Sequence, residues 1–170
     1  MRLSFTVLLA AALLASHNAV SSQDTLVDTH EVMVGGVSPA AMAIWDVGST
    51  AMREPGMLDQ ALMDAAAWRR LEDAARRLDA QSRRIAEAGT LHVGAHNDAL
   101  QGYATRAEIQ QMIDGDPDGF RALAATMAVQ AADLASAAAA RDLRQAGALM
   151  DTLGERCSAC HSRYWERPAD

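Results

Sequence analysis

The chain has 170 residues. Half are hydrophobic but only 4% aromatic, and 22 acidic side chains outweigh 15 basic ones for a formal net charge of −7. Every one of those basic residues is arginine, and no basic run exists. This excludes a surface built to hold nucleic acid or anionic lipid, and an alanine-rich chain poor in aromatics favours closely packed helices over sheets.

Residues 1–21 read as a signal peptide. Arg2 supplies the charged start, Leu3 to Ala15 is an apolar run, and Ala19-Val20-Ser21 offers small residues for cleavage. The run is shorter than the ~20 residues a membrane span needs, no later stretch qualifies either, and no stable membrane insertion is expected. The expectation is an exported chain from about Ser22, residues 22–170 forming one domain of ordinary size.

A first helix is predicted over about 25–47, with Leu26, His30, Met33, Val37, Ala41, Ile44 and Val47 on one stripe. Gly35-Gly36 and Ser38-Pro39 interrupt it and predict a kink or short break. After Gly48 the chain reads as a connection through Glu54-Pro55-Gly56. A second helix is predicted over about 64–88, capped by Asp64, with Trp68, Leu71, Ala75, Leu78, Ser82 and Ile85 inward. Its paired arginines, Arg69 to Arg84, fall outside that stripe and read as a solvated face.

Residues 89–115 form a long connection containing His92 and His96, read as solvated histidines in a cover or loop. Thr105 and Glu108 have the spacing of a capping box and predict a short helix to Ile113. A third helix starts at Asp116-Pro117 and carries Phe120, Leu123, Met127, Ala131 and Leu134. A fourth, starting near Asp142, aligns Leu143, Ala146, Met150, Leu153 and Cys157. Four amphipathic helices without a strand signal predict an all-α fold, an antiparallel up-down-up-down four-helix bundle.

The fourth helix runs into Cys157-Ser158-Ala159-Cys160-His161. C-x-x-C-H is the spacing of c-type haem attachment, two thiols adding to the porphyrin vinyl groups and the adjoining imidazole ligating iron. On a helix the two cysteines share a face, so both reach one edge of a macrocycle. A thiol-disulfide motif would instead open a helix after a strand, and a zinc site would need two further ligands where no other cysteine exists. In the expected topology the haem lies among residues 30–37, 78–85 and 120–127, with the 89–115 connection at the same end.

The C-terminal motif followed by Tyr164-Trp165, the segment Met33-Val34-Gly35-Gly36-Val37-Ser38-Pro39 with Ala43-Ile44-Trp45, and Trp68 opening the second helix together resemble the class II c-type cytochromes, the cytochrome c-prime family, in its low-spin six-coordinate branch. The long His-containing connection departs from that pattern. The resemblance implies one covalently attached haem c, held by Cys157 and Cys160, with His161 as proximal iron ligand and Met33 as distal ligand. His30, one turn earlier, is the competing ligand.

The function expected is that of a periplasmic electron carrier, not an enzyme, meeting redox partner proteins that carry a basic docking patch and able to pair as a homodimer. Five-coordinate binding of nitric oxide or carbon monoxide is the alternative. Peroxidase chemistry lacks an evident distal acid-base pair.

Overall fold

A computed structural model of the chain describes residues 25–95 and 103–166. The expected signal segment and His96 lie outside the described residues. The fold is all-α: helices dominate, with a few two- or three-residue strands at the ends.

The chain enters through β1 (Leu26–Asp28) and α1 (Thr29–Val32), passes through a π-turn (Met33–Val37), and continues as α2 (Ser38–Ala51). The predicted interruption is therefore a widened turn inside one continuous helix. Pro39 explains it: proline has no N–H to donate, and its ring crowds the carbonyl four residues back. The Ser38 amide bonds instead to the Met33 carbonyl, five residues back.

That extra residue corrects the predicted stripe. Ala41, Ile44 and Val47 are buried as expected, but before the turn the buried residues are Thr29 and Val32, each one position ahead of His30 and Met33. Leu26, placed on the stripe by periodicity, is 66% exposed. A five-residue turn displaces every preceding side chain by about 100° around the axis, which is one position of register.

A hairpin, β2 (Met52–Glu54) and β3 (Met57–Leu58), fills the connection after α2. It turns at Gly56, whose positive φ of 73° favours glycine. Helix α3 (Ala65–Ala86) starts as predicted, the Asp64 carboxylate accepting the Ala67 amide at 2.7 Å. Its six stripe residues are all buried and its six paired arginines exposed. Arg76 and Arg83 pair with Glu72 and Asp79 one turn earlier.

The long connection contains more structure than its glycines suggested. Strand β4 (Thr90–His92) pairs in parallel with β1, Val27 opposite Leu91. Helix α4 (Arg106–Gly115) opens with the predicted capping box of Thr105 and Glu108. Helix α5 (Pro117–Ala140) follows an Asp116 cap and lies along α3.

The predicted fourth helix is two helices, α6 (Leu143–Asp151) and α7 (Leu153–Tyr164). The break at Thr152 has a polar cause: its hydroxyl bonds back to the Ala148 carbonyl, while the buried Gln130 amide takes the Leu149 carbonyl at 2.8 Å.

Two helices, Thr29–Ala51 and Pro117–Ala140, have the length and composition of membrane spans, with mean hydropathy of 1.2 and 1.3. This corrects the expectation that no later stretch would qualify. Alanine raises the hydropathy, and the π-turn joins two short runs into one long helix. Both helices pack in the bundle.

Side chains of α2, α3, α5, α6 and α7 form the larger core, centred on Ile44, Leu71, Leu78, Leu134 and Leu153. A second apolar cluster joins Val27, Val32, Ile85, Leu91, Ile113, Phe120 and Tyr164, and Val37 packs against both.

Candidate functional site

The second cluster draws together chain ends far apart in sequence. The β1–β4 ladder ties the approach to α1 to the segment after α3. The Arg121 guanidinium, near the start of α5, donates to the carbonyls of Ala88 and Gly89. The last turn of α7 closes on the start of α5: the Tyr164 hydroxyl shares its proton between the Asp116 carboxylate at 3.0 Å and carbonyl at 3.1 Å, and Arg163 pairs with the same carboxylate. Tyr164 also meets Phe120 edge to face at 4.9 Å between centroids.

Against this cluster stand two of the residues singled out in the sequence. Met33, half-buried at the mouth of the π-turn, and Cys160, half-buried on α7, both pack onto it together with Val37 and Leu123. Cys157, one turn before Cys160, packs against the larger core instead. Both thiols are free. Burial pushes the Cys157 thiol up, and burial together with the neighbouring Cys157 pushes Cys160 to about 11, so both are protonated thiols at neutral pH.

His161 is half-buried, and burial lowers its pKa against the opposing pull of Glu166. Its imidazole stays neutral more readily than a solvated one, as ligation requires. His30 is half-buried on α1, one turn before Met33, while Met42 is 58% exposed on α2 and Met52 packs against the larger core. His92 lies on β4 with an exposed side chain, opposite Asp28.

Periodicity pointed to none of the aromatic surroundings of His161. The Trp165 ring meets the imidazole edge to face at 4.7 Å, and Tyr103 stacks on Trp165 at 4.2 Å. The Ala104 amide donates to the Trp165 carbonyl at 2.8 Å, and Tyr103 forms a bridge with Glu166. Tyr103 is one of only two tyrosines and stands in a polar, glycine-bearing stretch, which was the available signal.

The donor set fits a porphyrin iron. Among the described residues no three His, Cys, Asp or Glu side chains converge as a metal site. Two thiols one turn apart with an adjacent imidazole suit a group that brings four equatorial donors of its own and needs only anchoring and axial ligation. An apolar cluster flanks them, as a largely apolar macrocycle requires.

An all-α bundle presenting that set on its last helix has the makings of a c-type cytochrome. A family model described as Cytochrome C' matches residues 48–165, from the end of α2 through the attachment motif to Trp165. The chain belongs to the Cytochrome C' family, and its cofactor is haem c. No curated protein and no solved structure gives a significant match. The family match begins after Met33, so the case for that residue rests on its placement.

Proposed function

We propose that the chain is a periplasmic mono-haem electron carrier of the low-spin six-coordinate kind. Cys157 and Cys160 hold the cofactor through thioethers, His161 is the proximal iron ligand and Met33 the distal one. One observation carries the reading: Met33 and Cys160 pack against the same apolar cluster although 127 positions separate them in the numbering of the chain. The first helix thus offers a thioether to the site that the last helix anchors.

When attached, the haem supplies an iron that cycles between ferric and ferrous states. The protein's residues anchor, ligate and exclude water. A methionine ligand would favour the ferrous state relative to a second histidine, and with His161 and Met33 both holding the iron no place on it would remain for substrate. Carrier function, and not enzymatic turnover, follows. An up-down-up-down course is the simplest path connecting ends that meet as these do. Residues 1–21 would direct export, with 22–170 as the mature haem domain. The acidic surface suits redox partners with a basic patch, and neither nucleic acid nor stable membrane insertion enters the reading. A homodimer is compatible with carrier function.

The test is an absorption spectrum of the haem-loaded protein, ferric and ferrous, with and without carbon monoxide. A low-spin spectrum indifferent to carbon monoxide is expected, turning high-spin in Met33→Ala. A high-spin ferrous spectrum that shifts with carbon monoxide would replace the carrier with the five-coordinate, gas-binding alternative. An unchanged low-spin spectrum in Met33→Ala would move the distal assignment to His30.

A further inference from the structure

A histidine that ligates a metal ordinarily donates its other ring N–H to a carboxylate, carbonyl or water, which fixes the ring and strengthens its donation to the metal. Among the described residues none accepts that bond from the His161 imidazole; its ring neighbour is the Trp165 indole, edge to face. Positions 161 and 165 are one helical turn apart, so the end of α7 itself brings the rings together.

The indole is itself held in place. Tyr103 stacks on it with a 17° angle between ring planes, and the main chain of Tyr103 and Ala104 is bonded to that of Trp165 and Glu166. The Trp165 amide donates to the His161 carbonyl at 2.8 Å, closing the last turn. Tyr103 is 36% exposed, while Trp165 and His161 are half-buried.

We propose that Trp165, braced by Tyr103, is the positioning residue for His161: it fixes the plane of the imidazole through an aromatic contact, and shields that side of the ring from water. The proposal rests on the reading of His161 as iron ligand. Two consequences follow for the haem protein. The orientation of the imidazole plane is set by Trp165, and keeping water from that side of the ligand favours the less charged, ferrous state.

The experiment compares wild type, Trp165→Ala, Trp165→Phe and Tyr103→Leu as haem-loaded proteins. The readouts are the low-temperature electron paramagnetic resonance spectrum of the ferric form, whose anisotropy reports ligand-plane orientation, and the reduction potential. Trp165→Ala should change the anisotropy and lower the potential as water reaches the imidazole. Trp165→Phe should restore most of both, and Tyr103→Leu should shift them in the same direction by less. Haem-loaded Trp165→Ala with the wild-type spectrum and potential would overturn the proposal. If that variant does not accumulate, Tyr103→Leu carries the test, since it leaves α7 intact; no shift in either readout has the same force. His161→Ala separates the two readings: if it loads haem with an unaltered ligand signature, the ligand assignment fails and this proposal falls with it.

Discussion

The Ser38 amide donates to the Met33 carbonyl, five residues back instead of four, and this one bond decides which side of the first helix faces the second apolar cluster. Without the widened turn, the register of Ile44 and Val47 would carry inward burial to Met33 and His30. With it, Val32 and Thr29 become the buried pair, at 1% and 4% exposure, and Met33 is left half-buried at the edge of the cluster. Such turns are frequent at functional sites, because they re-aim a side chain without ending the helix.

Neighbouring positions should therefore separate stability from ligation. Val32→Ala removes a fully buried side chain and should cost about 2 kcal/mol in denaturant unfolding while leaving the absorption spectrum low-spin. Met33→Ala should cost less in stability and lose the low-spin spectrum. Matching stability losses with no spectral change in either variant would show that Met33 only packs.

How far the sequence revealed this fold depended on the range of the interaction concerned. Caps are local chemistry, and Asp64, Thr105, Asp116 and Asp142 each take the amide three residues on, as their positions implied. The α3 stripe was equally readable because nothing interrupts a 3.6-residue period from Trp68 to Ile85. The π-turn was visible only as a disturbance around Gly35 and Pro39, since periodicity marks a break without giving the number of residues in it. The break at Thr152 depends on Gln130, 22 residues earlier, and the β1–β4 ladder joins segments more than sixty residues apart. At the site, the C-x-x-C-H spacing pointed to haem c, the cofactor of the family. The bracing of Trp165 by Tyr103 involves a long connection whose path no local rule fixes.

Gln130 is 6% exposed, and every polar atom of its side chain is engaged at that break. Its amide donates to the Leu149 carbonyl and to the Thr152 hydroxyl, and its carbonyl accepts from Arg156 at 2.9 Å. Gln130→Leu keeps the volume but leaves those partners unsatisfied in a partly buried setting, which should destabilise by about 1–3 kcal/mol. Arg156→Ala should cost less, because that side chain is exposed. Urea unfolding of the two variants checks the order.

Two glycines should respond oppositely to alanine. Gly147 lies on α6 where the Gly56 carbonyl at the tip of the hairpin packs against its Cα; an added Cβ would overlap that backbone oxygen, which cannot rotate away. Gly147→Ala should displace the hairpin and cost about 1–3 kcal/mol. Gly35, in the π-turn, has no neighbouring protein group within 4 Å of an added Cβ, so Gly35→Ala meets no obstacle from the chain and should be neutral or stabilising by up to ~1 kcal/mol. Thermal unfolding of both would show whether the hairpin contact is as tight as the structure places it.

The Asp116–Tyr164 contact predicts a stability profile that falls at both ends of the pH range. The Gly119 amide, the Tyr164 hydroxyl and the Arg163 guanidinium hold the Asp116 carboxyl below its ordinary 3.8, against a smaller opposing effect of burial. A lowered folded pKa contributes stability that is present above about 3.8 and lost as the pH falls through the folded value. Tyr164 behaves in the opposite sense: burial first, then its bond to Asp116, raises it to about 12 from an ordinary 10. Its contribution is complete below pH 10 and disappears as the pH rises toward 12. Tyr164→Phe should therefore lower the melting temperature of the haem-loaded protein by roughly a few degrees near neutrality. The difference from wild type should narrow below about pH 3.8 and again above pH 10. A difference that stays constant across the whole range would mean that Tyr164 acts through its ring against Phe120, with no contribution from its hydroxyl.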